Sequence, residues 1–415
     1  MDLSVLISNF LKIIEYVCWM RKLIFLFFFI SWFTGYSQSY TSYFTGNTND
    51  TITSPLGGIC LMGGATEDDN AMKWFLEQAN GGDVLILRTS GSDGYNQYFY
   101  SQLGISVNSV ESIVFNNASA SNQNYIHSKI LQAEAIWFAG GNQWNYISYW
   151  RDTPIDSLIR HVLSTRNIVI GGTSAGMAIL GEYYFSAENG TVISSTALNN
   201  PYNSLVTIDS AKFLEIDILK DIITDTHYDD PDRKGRHVVF ISRMLTDYNS
   251  EAKGIACDEY TAVCIDTNGM AHVYGDFPTY DDNAYFLQIN CEISANIPEN
   301  ITSNTPLTWD RSGQAIKVYK IKGTSTGLNS FDLNTWEDGT GGVWENWFVL
   351  NGQLSESISS PINCNSTGIY MQNQVASIKL TKVIDVLGRE VDGAKSEPLF
   401  YIYDDGTVEK KIIIE

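Results

Sequence analysis

The chain has 415 residues, 44% of them hydrophobic and 18% charged, enough for one large domain with an appendage or for two ordinary domains. Its 47 acidic against 26 basic residues, a formal net charge of −21, exclude the basic footprint that a nucleic-acid binder needs. That acidity suits solubility, and it would mildly favour cationic substrates.

The first recognisable element is a targeting signal. Arg21 and Lys22 precede an apolar run from Leu23 to about Phe33, and Gly35, Ser37 and Ser39 follow. A basic start, a short apolar core and small residues describe an export signal, too short to span a bilayer comfortably. Residues 1–38 are therefore read as an upstream extension plus signal, with Met20 as the working start and cleavage near Ser37 or Gln38. A longer signal anchor using "LSVLISNFLKIIEYVCW" is the alternative.

From residue 54 to about 350 one domain is expected. Apolar runs at "GGICLMGG", "DVLILRTS", "SVESIVFN", "AIWFAGGN" and "NIVIGG" alternate with helix-like segments such as "EDDNAMKWFLEQANGG", "NYIHSKILQAE" and "IDSLIRHVLSTR". Continuous apolar strands between amphipathic helices predict an α/β fold, a mostly parallel sheet flanked by helices. Further on, "LKDIITDTHY" reads as a strand and "DPDRKGRHVVFISRML" as a helix. "GIACDEYTAVCID" with "MAHVYG" reads as a hairpin closing the sheet, and the later Trp-rich segments as a β appendage. Residues 351–372, rich in Ser, Asn and Gly, read as a linker, and 373–415 as a small C-terminal all-β domain.

Cysteines and histidines bound the chemistry. Cys60, Cys257, Cys264, Cys291 and Cys364 have no metal-box spacing; a Cys291–Cys364 disulfide is allowed, and the other three read as buried thiols. No metal or organic cofactor is implied.

The chemical signal is Gly172-Thr173-Ser174-Ala175-Gly176, between an apolar strand and an apolar helix. A serine on a sharp strand-to-helix turn needs small neighbours, and its Oγ then projects from the carboxyl end of the sheet beside a helix N-terminus. Ser174 is the candidate nucleophile. Of the five histidines, His227 alone follows a predicted strand in a polar stretch, "TDTHYDDPDR", and is the candidate base. The Ala175 amide and a donor from the "AGGNQ" turn, Gly141, are the expected oxyanion hole, with Gln143 facing the cleft to bind substrate.

Six blocks in order, "GGATEDDNAMKWFLE", "GGDVLILRTSGSDGYN", "IWFAGGNQWNY", "IGGTSAGMAILG", "DTHYDDPDRKGR" and "GIACDEYTAV", make the region from Gly57 to Gly275 resemble the cyanophycinase-like serine peptidases, relatives of the aspartyl dipeptidases. The resemblance implies a sheet and elbow akin to the class I glutamine amidotransferases, with Ser174 as nucleophile and His227 as general base and acid. For the orienting acid it favours Glu259, in the family's "DE" position, with Glu188 as the competitor. It implies a peptide substrate of the Asp/Arg type, since cyanophycin carries arginine on a poly-aspartate backbone. Asp225 would then take a guanidinium, while Arg233 and Arg236 would take carboxylates. Thr226 stands where the family has Gln, which weakens any transfer of substrate.

The tail, with "VIDVLGREV" and "PLFYIYDDGTVEKKIIIE", resembles the C-terminal sorting domains of type IX secretion. That implies the type IX machinery as a partner and a secreted or cell-surface location. The expectation is thus an exported serine peptidase acting on peptide or isopeptide bonds next to aspartate. A surface binding protein without catalysis and an acyl hydrolase or esterase are the alternatives. A homodimer is compatible with the sequence.

Overall fold

The computed structural model describes residues 9–21, 38–210, 213–364 and, in the tail, 380–385, 389–391, 399–403 and 408–411. Residues 9–21 form an exposed helix, α1. The apolar core of the expected export signal lies outside the described residues, as do residues 365–372 of the expected linker and more than half of the expected tail.

Two units are compact by themselves. One comprises residues 1–290 and 296–361, the other residues 291–295 and 362–415. In chain order the strands of the first are β1 (Tyr40–Gly46), β2 (Gly58–Met62), β3 (Asp83–Arg88), β4 (Ser109–Phe115), β5 (Ala135–Phe138), β6 (Val169–Thr173), β7 (Tyr184–Phe185), β8 (Ile208–Asp209) and β9 (Ile222–Asp225). There follow β10 (Lys253–Cys257), β11 (Ala262–Ile265), β12 (Met270–Tyr274), β13 (Asn283–Ile289), β14 (Ile316–Lys322), β15 (Ser330–Asp332), β16 (Gly339–Thr340), β17 (Gly342–Leu350) and β18 (Gln353–Ile358). The helices used below are α2 (Asp69–Gln78), α3 (Gly94–Gln97), α4 (Asn124–Gln132), α5 (Gln143–Trp150), α6 (Pro154–Arg166), α7 (Ala175–Ala178), α8 (Ser194–Asn199) and α9 (Lys234–Tyr248).

The main sheet has ten strands in the order β1-β4-β3-β5-β6-β2-β11-β12-β15-β16. Its centre, β4-β3-β5-β6-β2, is parallel. These strands are the continuous apolar runs read from the sequence, buried as both faces of a parallel sheet require. The α/β class is as expected, with helices against the sheet, but the sheet is mixed: only its centre is parallel, and β1, β11, β12, β15 and β16 pair antiparallel. Local signals start the helices: Asp68 caps α2 by accepting from the Ala71 amide at 2.8 Å, and Thr153 caps α6 ahead of Pro154. On α2, Ala71, Met72, Phe75 and Leu76 are buried, and Phe75 meets Trp137 of β5 edge-on.

Three expectations need correction. The main sheet has an edge strand before residue 54, because β1 pairs antiparallel with β4 over its whole length. The expected hairpin of "GIACDEYTAVCID" with "MAHVYG" forms only in its second half, β11 with β12, and "GIAC" is not part of it. β10 pairs with β9 and β13 in a second, six-stranded sheet, order β18-β17-β14-β13-β10-β9, whereas β11 pairs with β2 and β12 in the main sheet. Both halves are apolar and short, so the sequence pattern is the same whether the chain doubles back or crosses over. Finally, the expected linker begins too early, since Gln353–Ile358 pairs with β17.

In the second unit Cys291 and Cys364 form a disulfide, with Cα atoms 5.4 Å apart. Cys60, Cys257 and Cys264 are buried free thiols. The described tail residues form a three-stranded antiparallel sheet, Leu380–Ile384, Leu399–Tyr403 and Val408–Lys411.

Candidate active site

Ser174 sits between β6 and α7 at φ 52°, ψ −117°, a conformation that ordinary L-residues avoid. The turn is tight: a Cβ on Gly176 would stand 2.1 Å from the Phe138 carbonyl oxygen, so only glycine lets α7 pack against β5. The Ser174 amide donates to the Met62 carbonyl at the end of β2 (3.1 Å), and Thr224 Oγ1 of β9 donates to the Met177 carbonyl (2.8 Å). The elbow is therefore held from both sheets.

The carboxyl end of β9 supplies His227, itself at φ 47°. Its amide donates to the Gly63 carbonyl at 2.8 Å, and a Cβ on Gly64 would lie 2.4 Å from the ring, so the loop after β2 packs flat on the imidazole. Glu259 leaves the carboxyl end of β10. Its carboxylate Oε1 lies 2.5 Å from His227 Nδ1, and His227 Nε2 lies 2.8 Å from Ser174 Oγ. With Nδ1–H directed at the carboxylate, Nε2 accepts the serine hydroxyl, the arrangement that lets imidazole take a proton from Oγ. His227 and Glu259 are about three-quarters buried, with side-chain exposures of 22% and 23%. Three residues from two sheets meet in one hydrogen-bonded chain.

Ala175 is the first residue of α7, where a helix amide has no intrahelical acceptor. The Gly140–Gly141 turn lies alongside: a Cβ on Gly140 would be 3.6 Å from Ser174 Cβ, and Gly141 has φ +153°. Tyr146 of α5 donates its hydroxyl to the carbonyls of Ala139 and Gly140, fixing the turn. The Ala175 and Gly141 amides are thus both brought to the nucleophile's end of the sheet. Gln143 opens α5, but its Nε2 donates to the Phe185 carbonyl, so that half of the amide is already engaged.

Other expected residues are placed differently. Glu188 is exposed in the loop after β7, and the His227 Nδ1 partner is Glu259, so Glu188 is not the orienting acid here. Asp225 and Arg236 are 2% and 3% exposed and grip each other: Arg236 Nε to Asp225 Oδ2 is 2.9 Å and Nη2 to Oδ1 is 2.5 Å. Arg236 Nη1 also donates to the Val192 carbonyl at 3.1 Å. Burial works against the Asp225 charge, but the Arg236 guanidinium wins and holds the carboxyl below its ordinary value. The charges that would have met a substrate's guanidinium and carboxylate neutralise each other instead. Thr226 is buried beside them, its amide on Asp225 Oδ1 and its carbonyl accepting from Arg233 Nη1 at 2.9 Å. Arg233 is half-buried and lies in the field of Glu259 and Asp229; burial and Arg236 lower its basicity. Among the described residues, no group of three His, Cys, Asp or Glu is arranged to hold a metal ion.

Two contributors escaped the sequence reading. Gly63 and Gly64 seat the histidine, and Asp229 Oδ1 accepts the Glu259 amide at 2.9 Å. The doubled glycine directly after a buried strand was a visible signal. Nothing marked Asp229 out from its acidic neighbours.

Comparison with known proteins gives a consistent result. Residues 61–273, just over half of the chain, match peptidase family S51. The cyanophycinase of Synechococcus elongatus is 25% identical over 228 residues, 52% of this chain and 66% of that protein. The cyanophycinase of Geminocystis herdmanii is 27% identical over 141 residues, 34% of this chain and 46% of that protein. The matched stretch therefore spans less than two-thirds of either relative. Among solved structures, a peptidase from an acI-B1 Actinobacterium is similar at a TM-score of 0.40 and 13% identity, covering 56% of this chain and 91% of that one.

Proposed function

The chain belongs to peptidase family S51, and on that premise we propose that it is a serine peptidase cleaving peptide or isopeptide bonds next to aspartate. The observation that carries this reading is the hydrogen-bonded chain Ser174 Oγ–His227–Glu259 on a strained strand-to-helix turn.

Ser174 Oγ attacks the scissile carbonyl carbon as its proton passes to His227 Nε2. Glu259 accepts the Nδ1–H bond throughout and stabilises the imidazolium. The carbonyl oxygen, now anionic, is met by the Ala175 and Gly141 amides, which carry no charge of their own to repel the incoming substrate. Collapse breaks the C–N bond, and His227 returns the proton to the leaving nitrogen. Water then attacks the acyl-serine, with His227 as base, releasing the acid and restoring Oγ–H.

For specificity, a substrate carboxylate is assigned to Arg233, which is supported by the commitment of Arg236 to Asp225. A substrate arginine is not met by Asp225 for the same reason. A β-aspartyl or acidic peptide therefore fits this site better than the strict cyanophycin pattern. Export is supported by the basic pair and apolar run at 21–33 and by the tail motifs; recovery outside the cell, with a mature N-terminus near Ser37 or Gln38, is the expected result.

Incubation of the purified chain with β-aspartyl dipeptides and with cyanophycin, beside Ser174→Ala, tests the proposal. Serine-dependent release of amino acid or dipeptide is expected, with the variant slower by roughly 10⁴-fold or more. A wild-type protein that neither cleaves these peptides nor reacts with a fluorophosphonate at Ser174 would end it.

A further inference from the structure

Glu259 is delivered by the turn Asp258–Thr261, which carries the chain from the second sheet to the main one. Three bonds of that turn, and a fourth between Gly63 and His227, link it to the catalytic groups. The Glu259 amide donates to Asp229, the Tyr260 amide donates to the Gly64 carbonyl (3.1 Å), the Gly63 amide donates to the Thr261 carbonyl (2.9 Å), and the Gly63 carbonyl receives the His227 amide. Movement of the turn therefore shifts the carboxylate and the imidazole it orients.

Its anchor is Asp258, 3% exposed, against Asn283 of β13, equally buried. The Asp258 amide donates to the Asn283 carbonyl at 2.9 Å. Asp258 Oδ2 accepts from the Asn283 amide (3.2 Å) and from Asn283 Nδ2 (2.9 Å), while the second Nδ2 hydrogen goes to the Asp281 carbonyl. Two atoms are left over. Asp258 Oδ1 and Asn283 Oδ1 are both buried and without a hydrogen-bond partner among the described residues. A carboxylate and an amide oxygen cannot serve each other, because both only accept. A carboxylic acid can: its O–H gives to the amide oxygen while the amide N–H gives to the acid's other oxygen, closing a two-bond ring.

We propose that Asp258 is a positioning residue that acts in its neutral form, donating from Oδ1 to Asn283 Oδ1 and so locking the turn that aims Glu259 at His227. This rests on the reading of Ser174, His227 and Glu259 as the catalytic chain. The groups facing Asp258 are Asp229 from the loop after β9, Lys320 and Lys322 of β14, Tyr285 of β13, and Cys257 and Glu259 on either side of it. Burial foremost, then the Asp229 charge, pushes its carboxyl up to about 7, with the Asn283 bonds and Lys320 opposing. Loss of the proton to solvent leaves two buried acceptors without a donor, and the turn loosens.

The test compares wild type with Asp258→Asn, whose amide supplies a permanent N–H at the same place. Fluorophosphonate labelling rates and Tm are measured from pH 5.5 to 9. Labelling of wild type at pH 6.5, absent in Ser174→Ala, checks the underlying reading separately, and Tm does not depend on it. The expected result is an alkaline fall in the wild-type labelling rate of about fivefold or more between pH 6.5 and 8.5, missing in the variant, and a Tm advantage of the variant that widens as pH rises. The same alkaline fall in both proteins, or parallel Tm curves, would overturn the proposal. Should Asp258→Asn not fold, carboxyl ¹³C shifts of aspartate-labelled wild type decide: an aspartate titrating near neutrality is expected, and titration of all of them below pH 5 refutes it.

Discussion

Among the described residues His227 Nδ1 meets one carboxylate, that of Glu259, which makes Glu259 separable from the other acids nearby. Glu259→Gln keeps the shape but removes the charge that stabilises imidazolium and fixes the tautomer. Its kcat/KM should fall by on the order of 10³-fold with KM little changed. Glu188→Gln, on an exposed loop, should leave both constants as they are. Equal losses in the two variants, measured on the same peptide, would contradict the assignment. Ser174 and His227 were legible in the sequence because their signals are local: a GxSxG turn after an apolar strand, and a histidine in a polar stretch after another. The preference for Glu259 over Glu188 came only from the resemblance and not from local pattern, since each is an acid in a loop and the fold alone brings one to Nδ1.

Helix α9 and strand β9 are joined by the buried Arg236–Asp225 pair, and this decides what those residues do. Removing one partner leaves an uncompensated charge in the interior, so Arg236→Ala or Asp225→Ala should destabilise the protein by about 3–5 kcal/mol. Urea midpoints check this, and loss of activity should follow loss of fold. Arg233→Ala should behave oppositely, with an unchanged midpoint and a KM raised about tenfold for peptides bearing a free carboxylate. The sequence "DTHYDDPDRKGR" shows two arginines three residues apart and four aspartates upstream. It carries no sign of which arginine turns inward. Helical phase around α9 and the position of β9 settle it: Arg236 stacks beside Phe185 and Phe240 inside, while Arg233 precedes the first turn.

Over the whole molecule, two sheets share one site, and pH acts on its supports in opposite senses. Asp225 is held below its ordinary value, so its contribution is present above the unfolded carboxyl range and is lost as pH falls through its folded value. Asp258 is raised from 3.8 to about 7, so its contribution is complete below about pH 4 and is lost as pH rises through 7. Stability should therefore peak on the acid side of neutrality, and Tm recorded against pH checks it. The second sheet also sets where the chain can be cut. A protein ending at residue 364 keeps β18 and should retain serine reactivity, whereas one ending at residue 350 loses the partner of β17 and should precipitate or fail to label. Soluble expression and probe labelling of the two distinguish these outcomes.

The sequence by itself determined the parallel α/β core, the elbow serine and the histidine that follows a strand. Each of these is written in short-range pattern: apolar runs, helix periodicity, small residues at a sharp turn. The tertiary structure decided where β10 parts from β11, which acid reaches the histidine, which arginine is spent inside, and which buried carboxyl holds the turn. Those outcomes depend on the pairing of segments far apart in the chain and on burial. Residues alike in type and local setting acquire different charges and partners only when the two sheets come together.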